Sequence, residues 1–191
     1  FRRVLFRSQS APSGYELYQM GDRKNLVWEE KAPVSVARYV GDSVVVLDGE
    51  MYIVGGWTGD GNLTLLEKYS PQSNTWETLS PMPTGRVAFA CAVLDGKIYA
   101  IGGVDSSTVD VYDSNNDSWS TGTPLPSVVS SGTAISLDGK IYLISRASDS
   151  LLCYDPDTDQ WLAKANMPTP RVTAKVVYYK DRIDRKSTRL N

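Results

Sequence analysis

Few side chains in this sequence could do chemistry, and their types remove several reaction classes at once. The 191 residues contain no histidine, so the chain offers neither a Ser/His or Cys/His nucleophile pair nor an imidazole metal ligand. Its two cysteines, Cys91 and Cys153, are not spaced as a metal or redox motif. Both sit in apolar, strand-like runs, where a small buried hydrophobe is the expected role; a disulfide between them stays open but unsupported. A carboxylate pair could serve as acid and base. The acidic residues fall mainly in turns, as in Asp155-Pro156-Asp157-Thr158-Asp159, where side-chain oxygens support the turn itself. That run lacks the glycine and distal glutamate of an EF-hand calcium loop. No catalytic residue, metal site or cofactor is expected. Asn62-Leu63-Thr64 and Asn116-Asp117-Ser118 fit the glycosylation acceptor pattern, which matters only in a secreted protein.

Composition bounds the remaining classes. Hydrophobic residues make up 41% and charged residues 22%, a globular balance. No apolar run approaches the roughly 20 residues that span a bilayer. The ends are set apart: residues 1–8 and 184–191 back-translate to one DNA string and its reverse complement. A sequencing adaptor translated on both sides of an insert would leave such ends, and neither segment is expected to belong to the native fold. Without them 14 basic and 21 acidic residues remain, a formal charge of −7. An acidic body with no basic run gives no footprint for nucleic acid, and no membrane partner is expected either.

The elements that must position these residues repeat. Leu94-Asp95-Gly96-Lys97-Ile98-Tyr99-Ala100-Ile101-Gly102-Gly103 is echoed from Leu47 to Gly56 and again from Leu137 to Ser145. Asp-Gly between apolar runs predicts a hairpin with a type I′ turn, which needs positive φ at both central residues. After each hairpin come a tyrosine, a polar turn and a tryptophan: Tyr69 and Trp76, Tyr112 and Trp119, Tyr154 and Trp161. The tryptophans follow one another at intervals of 43 and 42 residues. A proline-containing link then leads to Arg38, Arg86 or Arg171, whereas the third link carries Val129-Ser130 instead. Four short strands per unit of this length predict propeller blades, with no helix required.

Gly-Gly after a strand, then Tyr, then Trp, in this register resembles the kelch repeat over roughly Tyr15 to Ile183. The resemblance implies an all-β fold: a partial kelch-type β-propeller of four-stranded antiparallel blades, about three complete and others partial. The units run about 9–29 (partial), 34–79, 86–122, 129–164 and 171–183 (truncated). A closed propeller has more blades, so the chain is expected to be part of a larger ring. Gly55, Gly56, Gly102 and Gly103 would permit close backbone packing. Tyr69, Trp76, Tyr112, Trp119, Tyr154 and Trp161 would fill space between blades. One copy departs from the pattern: Ser145-Arg146 stands where the glycine pair belongs.

The resemblance also implies where function sits, on loops of one propeller face. The candidate binding residues there are Trp57, Asp60, Asn62, Arg86, Asp105, Arg146 and Arg171. Trp57 is either an exposed anchor or a residue folded onto its own blade; the arginines either face a partner or pair with blade carboxylates. The function expected is a non-catalytic, cytoplasmic kelch scaffold or ubiquitin-ligase substrate adaptor that binds a protein partner. The alternative is a fragment of a kelch-type carbohydrate-active enzyme or oxidase whose catalytic residues lie in other blades.

Overall fold

The computed structural model describes residues 29–145 and 150–166, together with the backbone of 175–179 and 182–186. Its first sheet contains β1 (Val44–Leu47) and β2 (Glu50–Val54). A small ribbon follows, β3 (Trp57–Thr58) and β4 (Gly61–Asn62), before β5 (Leu66–Ser70) and β6 (Thr75–Leu79) complete the sheet in the order β1-β2-β5-β6. The second sheet is β7 (Ala90–Leu94), β8 (Lys97–Ile101), β9 (Val109–Asp113) and β10 (Ser118–Gly122). The third is β11 (Gly132–Leu137), β12 (Lys140–Ser145), β13 (Leu151–Asp155) and β14 (Gln160–Lys164). In each of these two sheets every strand pairs antiparallel with the next. A hairpin of β15 (Lys175–Tyr179) and β16 (Arg182–Lys186) follows, its second strand running past residue 183. Among the described residues there is no helix, and none is long and apolar enough to cross a membrane.

The hairpins obey their turn chemistry. Asp48 and Gly49, Asp95 and Gly96, and Asp138 and Gly139 all have positive φ, between 50° and 81°, as a type I′ turn demands. Strand alternation then divides each sheet between two neighbours. In β8, Ile98 and Ala100 face the first sheet, in a cluster with Val54, Leu66 and Phe89. Tyr99 and Ile101 face the third, in a cluster with Leu143 and Leu152. The first strands β1, β7, β11 and β15 neighbour one another in turn, so the sheets are blades stacked around an inner edge.

A polar staple joins each outer edge to the preceding blade. Tyr112 packs against Trp119, its cross-strand partner, with ring centroids 5.2 Å apart and the ring planes tilted by 48°. Its hydroxyl donates to Asp117 Oδ1 at 2.7 Å, and the same oxygen accepts the Ser80 N–H at 2.8 Å. Trp119 Nε1 donates to the Ser80 carbonyl at 2.8 Å. The motif recurs with Tyr69, Asn74 and Trp76 on Ala32, and with Tyr154, Asp159 and Trp161 on Thr123. Asn74, Asp117 and Asp159 all take positive φ, from 46° to 54°, a conformation that Asn and Asp tolerate best among non-glycine residues.

These bonds hold two carboxyls below the usual carboxylate range. The Ser80 N–H and then the Tyr112 hydroxyl act on Asp117; the Thr123 hydroxyl and then the Tyr154 hydroxyl act on Asp159. A lowered folded pKa contributes stability that is present above the ordinary value of 3.8 and is lost as pH falls through the lower folded value. Asn74 makes the same contacts without a titrating group. The urea midpoint is therefore expected to fall between pH 5 and pH 2, and to fall less in the Asp117→Asn/Asp159→Asn variant. An equal fall in both proteins would show that the staples are not the acid-sensitive element.

Candidate functional site

One end of the blades carries the variable loops. Val44 of β1 pairs with Ile53 of β2, and Leu66 of β5 pairs with Leu79 of β6. The β2–β5 segment and the links between blades therefore emerge at the same end, opposite the Asp-Gly turns. The glycine pairs bring these loops close together. Gly56 N–H donates to the Arg86 carbonyl at 3.1 Å and Gly103 N–H to the Val129 carbonyl at 3.1 Å, each reaching the next blade's link. A Cβ on Gly102 would lie 2.6 Å from the Val129 carbonyl oxygen, and one on Gly56 would lie 2.7 Å from the Tyr39 carbonyl oxygen. Gly55, Gly56, Gly102 and Gly103 also take positive φ, from 55° to 122°.

Trp57 stands just past the first pair, with 45% of its surface exposed. Its N–H and carbonyl each bond to Tyr39 at 2.9 Å, and β3 pairs Trp57 with Asn62 of β4. Tyr39, Trp57 and Asn62 thus form one cross-strand row, and directly paired residues share a side of a β-ribbon. Tyr39 is 59% exposed, and its ring lies over Gly41. Asp60 occupies the exposed β3–β4 turn. Asp105 is exposed in the β8–β9 loop next to Val104, whose N–H reaches the Val87 carbonyl at 3.3 Å. Residues 86 and 87 therefore lie between the loops of two blades. Tyr39 was not among the expected site residues. Its signal was an aromatic where the other links carry Val87 and Ser130.

Arg86 belongs to the interior rather than to the face. Its side chain is 4% exposed and pairs with Asp110 of β9, Nη2 to Oδ2, at 2.6 Å. Nη1 donates to the carbonyls of Gly102 at 2.7 Å and Thr108 at 3.0 Å, so the arginine ties the loop's two ends together. Arg38 does the corresponding work in the first blade, donating to Glu67 of β5 at 2.6 Å with both side chains almost wholly buried. The third blade replaces both charges. Val129 takes the arginine's place and Leu152 the acid's, and both join the apolar cluster. Arg146 and Arg171 lie outside the described residues.

The expected structural residues occupy blade cores and staples. Tyr69, Tyr112 and Tyr154 are buried, with the tilted rings of Trp76, Trp119 and Trp161 packed against them. Cys91 and Cys153 are free and buried, and burial pushes the Cys91 thiol up, away from the reactive thiolate. Asp155 supports its own turn by accepting the Asp157 N–H at 3.2 Å. Among the described residues, no three His, Cys, Asp or Glu side chains gather as a metal site.

The repeated blades, glycine pairs and Tyr–Trp staples define a kelch-type β-propeller. A family model of the Kelch motif matches residues 41–83 and 85–126, so the chain carries kelch repeats. It is 50% identical over 132 residues to human Kelch-like protein 35, covering 66% of this chain and 23% of that protein. It is 42% identical over 76 residues to human Kelch-like protein 33, covering 40% of this chain and 14% of that protein. The chain thus spans less than a quarter of either relative. The solved structure of YjhT superposes with a TM-score of 0.75 at 18% identity, covering 88% of this chain and 65% of that one; that likeness concerns the fold alone.

Two stability predictions follow from the loop geometry. Gly96 and Gly102 have similar positive φ, 71° and 68°, but only Gly102 faces a backbone carbonyl. Gly96→Ala is expected to cost about 1–2 kcal/mol and Gly102→Ala at least twice as much by urea denaturation; equal losses would mean that conformation alone matters. Arg86→Met leaves Asp110 buried without its partner and is expected to cost about 3–5 kcal/mol. The double variant Arg86→Val/Asp110→Leu copies the third blade and should regain at least half of that loss; a double variant as unstable as Arg86→Met would show that the arginine's carbonyl bonds dominate.

Proposed function

We propose that the chain is part of a kelch scaffold that holds a protein partner on its loop face, as the propeller of a substrate adaptor does. The observation that carries this reading is the exposed Tyr39–Trp57 row. The aromatics of the Tyr–Trp staples are packed between blades with their polar tips bonded, whereas these two are exposed on directly paired residues. Large aromatics in such a position serve as interface anchors. Val104 and Val128 add exposed apolar surface on loops of the same end. We assign partner contact to Trp57, Asp60, Asn62 and Asp105, and give Arg86 the task of holding the loops that present them. A substrate adaptor also needs a segment that engages the ligase, which would have to lie in another part of a longer protein.

The test uses an exposed apolar control outside the face. Leu162, on the outer strand β14, is 42% exposed. Affinity purification with the tagged chain should recover proteins that are lost with Tyr39→Ala/Trp57→Ala and retained with Leu162→Ala. Recovery that ignores the first variant, or drops equally with both, would remove the face from the interaction.

A further inference from the structure

The loop face of the first two blades carries exposed charge of one sign. The basic residues of segments 34–44, 55–65, 80–89 and 102–108 are Arg38 and Arg86, and both are buried against Glu67 and Asp110. Asp60 and Asp105 are exposed in the same segments with no described basic side chain beside them. Each stands close in sequence to exposed apolar surface, Asp60 to Trp57 and Asp105 to Val104. The two loops flank residues 86 and 87, to which Gly56 and Val104 are bonded.

We infer that this surface receives a cationic segment of a partner protein, whose arginine or lysine side chains cover the exposed aromatics Trp57 and Tyr39 and meet the carboxylates Asp60 and Asp105. The inference rests on the reading of this face as a docking surface and names the chemistry of its occupant. Aromatic faces attract cations, and the apolar stem of Arg or Lys covers a ring while its charge stays near water and carboxylates. A wholly apolar segment would desolvate Asp60 and Asp105 without compensation. An acidic segment would meet like charge. Asn62, in register with Trp57, offers an amide that can accept from a guanidinium or ammonium group.

A phage-displayed library of random dodecapeptides, panned against the whole immobilised chain, tests this without a known ligand. Enriched peptides are expected to be net positive and richer in Arg and Lys than the unselected library. A synthetic copy of the most enriched peptide should bind at least about tenfold more weakly to Trp57→Ala. It should bind about threefold to tenfold more weakly to Asp60→Asn/Asp105→Asn, and more weakly to the wild-type chain as salt is raised. Both variants are at exposed sites, and asparagine tolerates the positive φ of 53° at position 105. Neutral or acidic peptides that depend on Trp57 would overturn the cationic occupant while leaving the docking face in place. Cationic peptides indifferent to the Asn variant would overturn the role of the carboxylates. Enrichment indifferent to Trp57→Ala, or no enrichment, would overturn both the occupant and the docking face.

Discussion

The structure depends on blades that have no core of their own. A four-stranded sheet has two faces, and here the middle strands are apolar on both: Ile98 and Ala100 on one side of β8, Tyr99 and Ile101 on the other. The hydrophobic clusters therefore lie between blades rather than inside them. Stability in such an array is a sum over neighbours, and no single sheet can bury enough surface alone. Apolar packing between sheets fixes spacing but tolerates sliding. The Tyr–Asx–Trp staples add direction. Each sends an indole N–H to a carbonyl of the preceding link, and brings together a phenol, an Asx oxygen and that link's donor. A stacked aromatic pair contributes about 0.5–1.5 kcal/mol beyond its buried area, and a hydrogen bond adds about 1 kcal/mol. Their greater effect is geometric, because they fix the angle at which one blade meets the next.

The glycine pairs and buried arginines apply the same logic at the loop end. Gly56 and Gly103 let one blade's chain touch the next blade's link, and Arg38 and Arg86 each close their own link onto the third strand of their blade. A buried ion pair gains little net energy over a well-packed apolar pair. The third blade illustrates this by using Val129 and Leu152 at the same positions. What the charged version supplies is bonding: Arg86 reaches two carbonyls and the Thr108 hydroxyl besides Asp110. An apolar pair cannot hold a loop's carbonyls in that way. The blade that loses the charges also has Ser145 where the others carry the first glycine, so both departures from the repeat fall at one end of one blade.

Much of this was legible in the residues because local chemistry and repetition agreed. Asp-Gly turns, Gly-Gly strand ends and the Tyr–Trp spacing each demand one backbone geometry, and all three occur in register. Other features were not legible. A left-handed position recurs at Gly41, Ala88 and Ser131, with φ between 54° and 57°, but only one of the three is glycine, so the sequence does not mark it. The acids of the polar turns read as turn formers; that Asp117 and Asp159 also reach a neighbouring blade is a long-range fact. Arg86 could face a partner or a carboxylate on sequence grounds. The deciding residue, Asp110, is 24 positions away, with burial set by the whole sheet. The ribbon of β3 and β4 read as loop because strands of two residues carry no periodicity.

Where the blades differ, they differ in exposure rather than in fold. A position that packs between blades is constrained by two neighbours, and Tyr69, Tyr112 and Tyr154 answer that constraint identically. A position past the glycine pair is constrained only by its backbone bonds, as in Tyr39 with Trp57 or Val104 with Val87. Side chains there can vary without disturbing the blade. An aromatic left in water at such a site is not explained by packing, since burying it elsewhere would lower the free energy. The first blade carries two of them on directly paired residues, supported by an extra ribbon that the second blade lacks. Added backbone structure beneath exposed aromatic surface restricts the conformations of that surface before anything binds, and such preorganisation lowers the entropy cost of docking.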